Sequence, residues 1–265
     1  MNWEKTLLLV ASILLVTVMM YSGYRLVEIN YHRSNEQELH GMLLAYRPTL
    51  QPVTVALAHE PDNEEYIPWG SITPPGSTVI NPTIVQLQET HPSVVGWMTI
   101  PNTRIDHPFV QRPDNVFYLD HDINHERSPS GTVFMDYRNL PDFTEFHTLV
   151  YGHNMRNGSM FGTLREFLSR DFFIANRDGF VFLPYATYEF DVFAVAIIRP
   201  DDGIIYGLQV ETVEQRQEFI DHVRRVSTHI RPYMDPTPDD RFITLSTCRN
   251  DAANSRVVLI GVIRE

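Results

Sequence analysis

The sequence predicts a mainly β domain, an antiparallel barrel or sandwich with peripheral helices, preceded by one N-terminal transmembrane helix. Three observations carry this expectation. Short runs rich in β-branched and apolar residues recur from Val94 to the C-terminus, with turn chemistry between them. An uncharged apolar stretch, Thr6 to Tyr24, opens the chain. Between the two lies a proline-punctuated segment too poor in apolar periodicity to fold alone.

Taken in order, Thr6–Tyr24 as a helix spans about 28 Å, close to the thickness of a bilayer core. It lacks the polar face of a buried core helix, and no clear Ala-x-Ala cleavage pattern follows it, so it reads as a signal anchor. Lys5 on one flank and Arg25, His32 and Arg33 on the other leave its orientation unset by charge. Leu26–Tyr46 is polar with scattered apolar residues and continues as a helix. From Arg47, Pro48, Pro52, Pro61, Pro68, Pro74, Pro75 and Pro82 mark an extended spacer. The expected division is therefore an N-terminal stub and anchor (1–25), a helical stalk and Pro-rich linker (26–82) and a folded domain (83–265).

The folded domain starts with a short helix, Thr83–Thr90, ended near Pro92. The β-type runs are Val94–Ile100, Arg104–Val110, Gly131–Met135, His147–Tyr151, Gly179–Leu183, Tyr188–Ile198, Arg241–Thr247 and Arg256–Ile263. Two helical interruptions stand between them. One covers Met160–Asn176 in two pieces. The other, Val213–Thr228, sets Phe219, Ile220, Val223 and Val226 on one face and charges opposite. It lies in a long connection between strands, a place where β domains build the wall or lid of a groove.

Composition excludes several function classes. A net charge of -12 opposes nonspecific nucleic-acid binding, which needs a basic face. The single cysteine, Cys248, rules out an internal disulfide framework and any Cys-based zinc site. That cysteine follows Thr244-Leu245-Ser246-Thr247 at the end of one β-type run, and Arg256 begins the next. If the two runs pair as a hairpin, thiol and guanidinium converge at one rim. His153, after Leu149-Val150-Tyr151-Gly152, also stands just past a strand end. An imidazole or guanidinium favours a thiolate, and an arginine stabilises a developing oxyanion, so the three together suit acyl transfer. Taken singly, each has a plain structural reading: a buried thiol, a turn residue, a solvated strand end.

The motifs are more specific than the spacing. Thr244–Cys248 with an arginine eight residues on resembles the signature of the sortases, membrane-anchored cysteine transpeptidases of Gram-positive bacteria. Tyr151-Gly152-His153-Asn154-Met155 is similar to their catalytic-histidine motif. Asp106–Gln111, Asn115, Tyr118–Asp122 and Gly131–Asn139, with the helix inserted before the cysteine strand, resemble class B members. The resemblance covers about Thr83 to the C-terminus. It implies an eight-stranded β-barrel with peripheral helices and a thioacyl mechanism without cofactor or metal. In that mechanism Cys248 attacks the carbonyl after the threonine of a C-terminal sorting signal. His153 carries the proton, and Arg256 stabilises the oxyanion or positions the substrate. An amine of a cell-wall precursor (lipid-linked peptidoglycan), or a pilin lysine in a pilus-building member, resolves the intermediate. The resemblance further implies Asn-Pro-x-Thr signals, a cytoplasmic N-terminus and an extracellular catalytic domain. Substrate contacts are expected from Ile205 and Tyr206 in the helix-bearing connection and from Ser246 and Thr247.

Arg249, next to the cysteine, competes with Arg256 for the electrostatic role; Arg256 is preferred because it sits at the strand start that the family uses. Two rivals come from other classes. His121 and His125, four residues apart, have a zinc-ligand spacing if helical, but Asp122 replaces the metalloprotease glutamate and turn residues surround them. A noncatalytic surface module is opposed by the joint presence of Cys248, His153 and Arg256.

Overall fold

The computed structural model describes residues 3–49, 53–54, 79–248 and 254–264, with the backbone alone for Lys5, Val53, Thr54, Val79, Ile80 and Cys248. The chain divides into two compact units, Met1–Ala45 and Tyr46–Glu265. In the first, the anchor and its continuation form one helix, α1 (Trp3–Leu43). Its apolar side chains, Leu7, Leu8, Ile13 and Leu14 among them, are exposed, and it is long and apolar enough to cross a membrane. Ser12 Oγ and Thr17 Oγ1 donate to the carbonyls of Leu8 and Ile13, each at 2.8 Å, so neither hydroxyl needs water.

In the second unit a two-residue ladder pairs β1 (Val53–Thr54) with β2 (Val79–Ile80). Both ends of the Pro-rich segment rest on this unit. Arg47 pairs with Asp106 at 2.9 Å, and buried Asn81 donates Nδ2 to the carbonyls of Leu183 and Ala186 at 2.6 and 3.1 Å. The stretch between, 55–78, and with it the expected extended spacer, lies outside the described residues.

After helix α2 (Pro82–Thr90) come β3 (Val94–Thr99), β4 (Asp106–Val110), β5 (Phe134–Met135) and β6 (His147–Tyr151). A short 3-10 segment and helix α3 (Arg170–Ala175) lead to β7 (Asp178–Phe182) and the long β8 (Thr187–Ile198). Helix α4 (Val213–Val226), β9 (Ser227–Ile230), β10 (Arg241–Cys248) and β11 (Arg256–Ile263) complete the chain. The strands lie in the order β11-β10-β6-β5-β4-β3-β7-β8, and β8 pairs back onto β11. That last pairing closes an eight-stranded barrel and decides against a sandwich. The barrel is not purely antiparallel: β4–β5 and β6–β10 run parallel, which their long connections permit and a tight hairpin does not.

Two expected runs change for identifiable reasons. Gly131–Met135 shrinks to Phe134–Met135, because Gly131 adopts φ 58° and the Thr132 N–H bonds to the Tyr118 carbonyl at 3.0 Å. Val213–Thr228 stops at Val226. Ser227 turns extended and β9, absent from the sequence reading, pairs along the side of β8 that β7 leaves open. Tertiary pairing here overrides a local helical pattern.

Alternation builds the core. On β10 and β11, Ile243, Leu245, Val257 and Leu259 join Phe109, Met135, Val150 and Val181 within the barrel. Phe242, Val258 and Ile260 point the other way, under Phe219, Ile220 and Val223 of α4. Burial on both faces explains why β11 reads as one apolar run. Helix α4, started by a Thr212–Gln215 capping box, is thus a buttress on the barrel's flank. The connection before it, rather than the helix itself, approaches the β10 end.

His147 of β6 is buried in this flank, its Nε2 2.8 Å from Thr244 Oγ1 and its ring against Phe219. Its Nδ1 meets no partner among the described residues, so an imidazolium would bury an N–H without an acceptor. Burial accordingly pushes its pKa down to about 3, against the Asp136 charge that favours the cation. The unfolded chain takes up this proton first, so its contribution to stability is present above pH about 6.5 and lost as pH falls toward 3. In denaturant unfolding between pH 6.5 and 5, His147→Gln should flatten the fall in stability by up to one proton's slope, about 1.4 kcal/mol per pH unit. An unchanged slope contradicts this.

Candidate active site at the barrel rim

The last rung of the β10–β11 ladder sets Cys248 opposite Arg256. On the other side of β10, β6 runs parallel with Tyr151 beside Ser246, and the Gly152 N–H donates to the Ser246 carbonyl at 3.2 Å. Two residues further along each of these chains come His153 and Cys248. Cys248, His153 and Arg256 therefore end on three adjacent segments at one rim of the barrel. Sequence separations of 95 and 103 residues disappear because β10 is the shared neighbour of β6 and β11.

Glycine is required before the histidine. A Cβ at Gly152 would stand 2.7 Å from the ring of Phe161, which is fully buried and bonds its N–H to the His153 carbonyl at 3.0 Å. Gly152→Ala is expected to destabilise the fold by roughly 1–3 kcal/mol. Thermal unfolding checks it, and a wild-type midpoint contradicts the packing argument.

His153 is half-buried, with Nε2 2.6 Å from the Leu119 carbonyl at the end of the 3-10 turn Phe117–Leu119. A carbonyl only accepts, so Nε2 carries the hydrogen and Nδ1 is the nitrogen left for proton transfer. A backbone carbonyl thus does the orienting that a carboxylate does in other nucleophile–base pairs. Arg256 is half-buried and donates Nη1 to the Ser255 carbonyl at 3.2 Å, and its backbone lies between β10 and Ile198 of β8. Arg249, the arginine next to Cys248, lies outside the described residues.

The expected substrate residues separate. The Tyr206 hydroxyl sits 2.9 Å from Ser246 Oγ, which places this half-buried tyrosine over β10 two residues before Cys248. Thr247 is buried, and its Oγ1 meets no partner among the described residues. Ile205 is completely buried in the cluster beneath α4, so its side chain belongs to the core and not to the surface of a groove.

A polar hub not expected from the sequence lies beside this rim. Asp136, with no exposed surface, accepts from Asn115 Nδ2 and Tyr151 Oη at 2.9 Å each, and from Arg138 Nε and Nη2 at 2.9 and 2.8 Å. Desolvation pushes its carboxyl up, but the Arg138 side-chain and backbone hydrogen bonds and the Tyr151 hydroxyl outweigh it and hold the group below the usual carboxylate range. Desolvation first, then the Asp136 charge, raises the Tyr151 phenol well above its ordinary value, so it stays a donor. The available signal was an Asp-x-Arg pair directly after an apolar run. The Leu119 carbonyl has no sequence signature at all.

His121 and His125 stand on a turn. His121 Nδ1 lies 2.7 Å from Asp120 Oδ1, while His125 adopts φ 65° and sets Nε2 3.2 Å from the Tyr118 hydroxyl. The helical face needed to present both to one ion is not formed.

The sortase-domain family pattern matches residues 98–263. Sortase B of Listeria monocytogenes is 36% identical over 179 residues, covering 66% of this chain and 71% of that protein. Sortase B of Staphylococcus aureus is 24% identical over 261 residues, 98% of this chain and 97% of that one. The X-ray structure of Clostridium perfringens sortase B superposes with a TM-score of 0.65 at 31% identity, over 68% of this chain and 99% of that chain. With its closed eight-stranded barrel and the matched domain, this chain belongs to the sortase family, in class B, and is a cysteine transpeptidase.

Proposed function

We propose that the protein is held in the membrane by α1, with its N-terminus in the cytoplasm and the barrel outside, and joins secreted proteins to the cell wall. The substrate is a C-terminal sorting signal of the Asn-Pro-x-Thr type. The Cys248 thiolate adds to the threonine's own carbonyl carbon, and the electron pair returning from the oxyanion expels the following residue's amine. His153 gives that amine its proton. Arg256 supplies positive charge where the oxyanion develops, and an amino group of a cell-wall precursor then releases the thioester, losing its proton to His153. The observation that carries this reading is the ladder end at which Cys248 and Arg256 are partners and His153 stands one strand over. The exposed apolar surface of α1 supports the anchoring.

The test is incubation of the full chain in detergent with a panel of sorting peptides and amine acceptors, read by mass spectrometry. The expected product is a new amide between the threonine carbonyl and the acceptor. Absence of cleavage across the panel, or cleavage elsewhere than after threonine, overturns the reading. Within the same assay, Arg256→Ala should lower kcat by about 10²–10³-fold, the usual loss for one oxyanion donor. Arg256→Lys should recover only part of it, because an ammonium lacks the planar fork. Full activity of Arg256→Ala removes Arg256 from the mechanism.

A further inference from the structure

The polar hub beside the rim does no proton transfer in this mechanism, yet it ties together the two segments, β6 and the Tyr206 turn, that adjoin Ser246 on the nucleophile strand. We infer that the Asp136–Arg138 pair is a positioning device that sets the height of the Tyr206 turn over β10 and thereby the fit of the sorting peptide. The inference rests on the functional reading above. Arg138 is gripped by the fully buried Asp136 through two hydrogen bonds, and its Nη2 also donates to the Tyr206 carbonyl at 3.1 Å. The turn is held from its other end as well. The Asp202 carboxylate accepts from the backbone N–H groups of Ile204 and Ile205 at 3.1 and 3.0 Å and lies 2.9 Å from His222 Nε2 on α4. Between these two clamps the Tyr206 ring lies near-parallel to Tyr151, centroids 6.4 Å apart, and its hydroxyl reaches Ser246. Tyr151 is itself bonded to Asp136. One buried carboxylate therefore fixes Tyr151 directly and Tyr206 through Arg138, two stacked rings that both adjoin Ser246 on the strand that ends at Cys248.

A planar guanidinium is needed for this arrangement, since it meets the carboxylate with two N–H groups and still has one for the carbonyl. Arg138 is 40% exposed, so its replacement need not unfold the barrel. Steady-state kinetics with an Asn-Pro-x-Thr peptide should show Arg138→Gln raising KM about 10-fold with kcat nearly unchanged, the loss expected for one charge-assisted hydrogen bond. Arg138→Lys should fall between, and serves if the glutamine variant folds poorly. The decisive readout is coupling: in a Tyr206→Phe background, Arg138→Gln should raise KM by less than about 2-fold, because the turn it positions has already lost its contact to Ser246. Independent, multiplying effects overturn the inference, and so does an unchanged KM in an active variant. Failure of the wild-type chain to cleave any sorting peptide instead overturns the functional reading beneath it.

Discussion

Cys248→Ala should lower cleavage of a sorting peptide by on the order of 10⁴-fold or more, leaving no thioester, because no second thiol exists in the chain to take over. The fold should survive. Cys248 ends the β10 ladder, and the backbone pairing with Arg256 that holds this rung does not depend on its side chain. An unfolding midpoint close to wild type, combined with loss of turnover, separates chemistry from stability. Normal turnover by the alanine variant is incompatible with covalent catalysis at this position.

His153→Ala should cost roughly 10²–10⁴-fold, the range for a positioned general acid–base. His153→Gln is the sharper comparison. A glutamine amide is able to donate to the Leu119 carbonyl, as Nε2 does at 2.6 Å, but transfers no proton at neutral pH. The two variants should therefore be equally inactive. Recovery in the glutamine variant means that residue 153 merely props the turn Phe117–Leu119. The double variant with Cys248→Ala should be no worse than Cys248→Ala alone, since residues acting as a unit are not additive.

Much of the fold was legible because barrel strands announce themselves. All eight β-type runs correspond to barrel strands, and the hairpin between Cys248 and Arg256 follows from two β-branched runs separated by small polar residues. The strand neighbours were not legible. That β6 lies beside β10 in parallel, and so brings His153 to Cys248, is a long-range pairing for which local pattern holds no signal. The strand β9 escaped for the same reason. It exists because β8 outruns β7 and leaves an open edge to fill.

The site was legible unevenly. Cys248, His153 and Arg256 stood out through motif resemblance, and Tyr206 and Ser246 do meet. Ile205 was expected beside them, but in the turn it takes the buried position next to α4 while its neighbour faces Ser246. Asp136 and Arg138 lie inside the Gly131–Asn139 motif, whose resemblance implies no role for them. An acid two residues from an arginine reads as a solvated pair until burial shows that the carboxylate has no exposed surface. The carbonyl that orients His153 belongs to a leucine, and any residue supplies a carbonyl.

The most direct measurement is intact-mass spectrometry of the full chain, acid-quenched during turnover of a sorting peptide. The predicted result is a mass gain equal to the peptide fragment ending in threonine less one water, located on the Cys248 peptide and released by hydroxylamine. Turnover that proceeds while Cys248 stays unmodified at every time point, with the fragment found elsewhere or nowhere, contradicts the account.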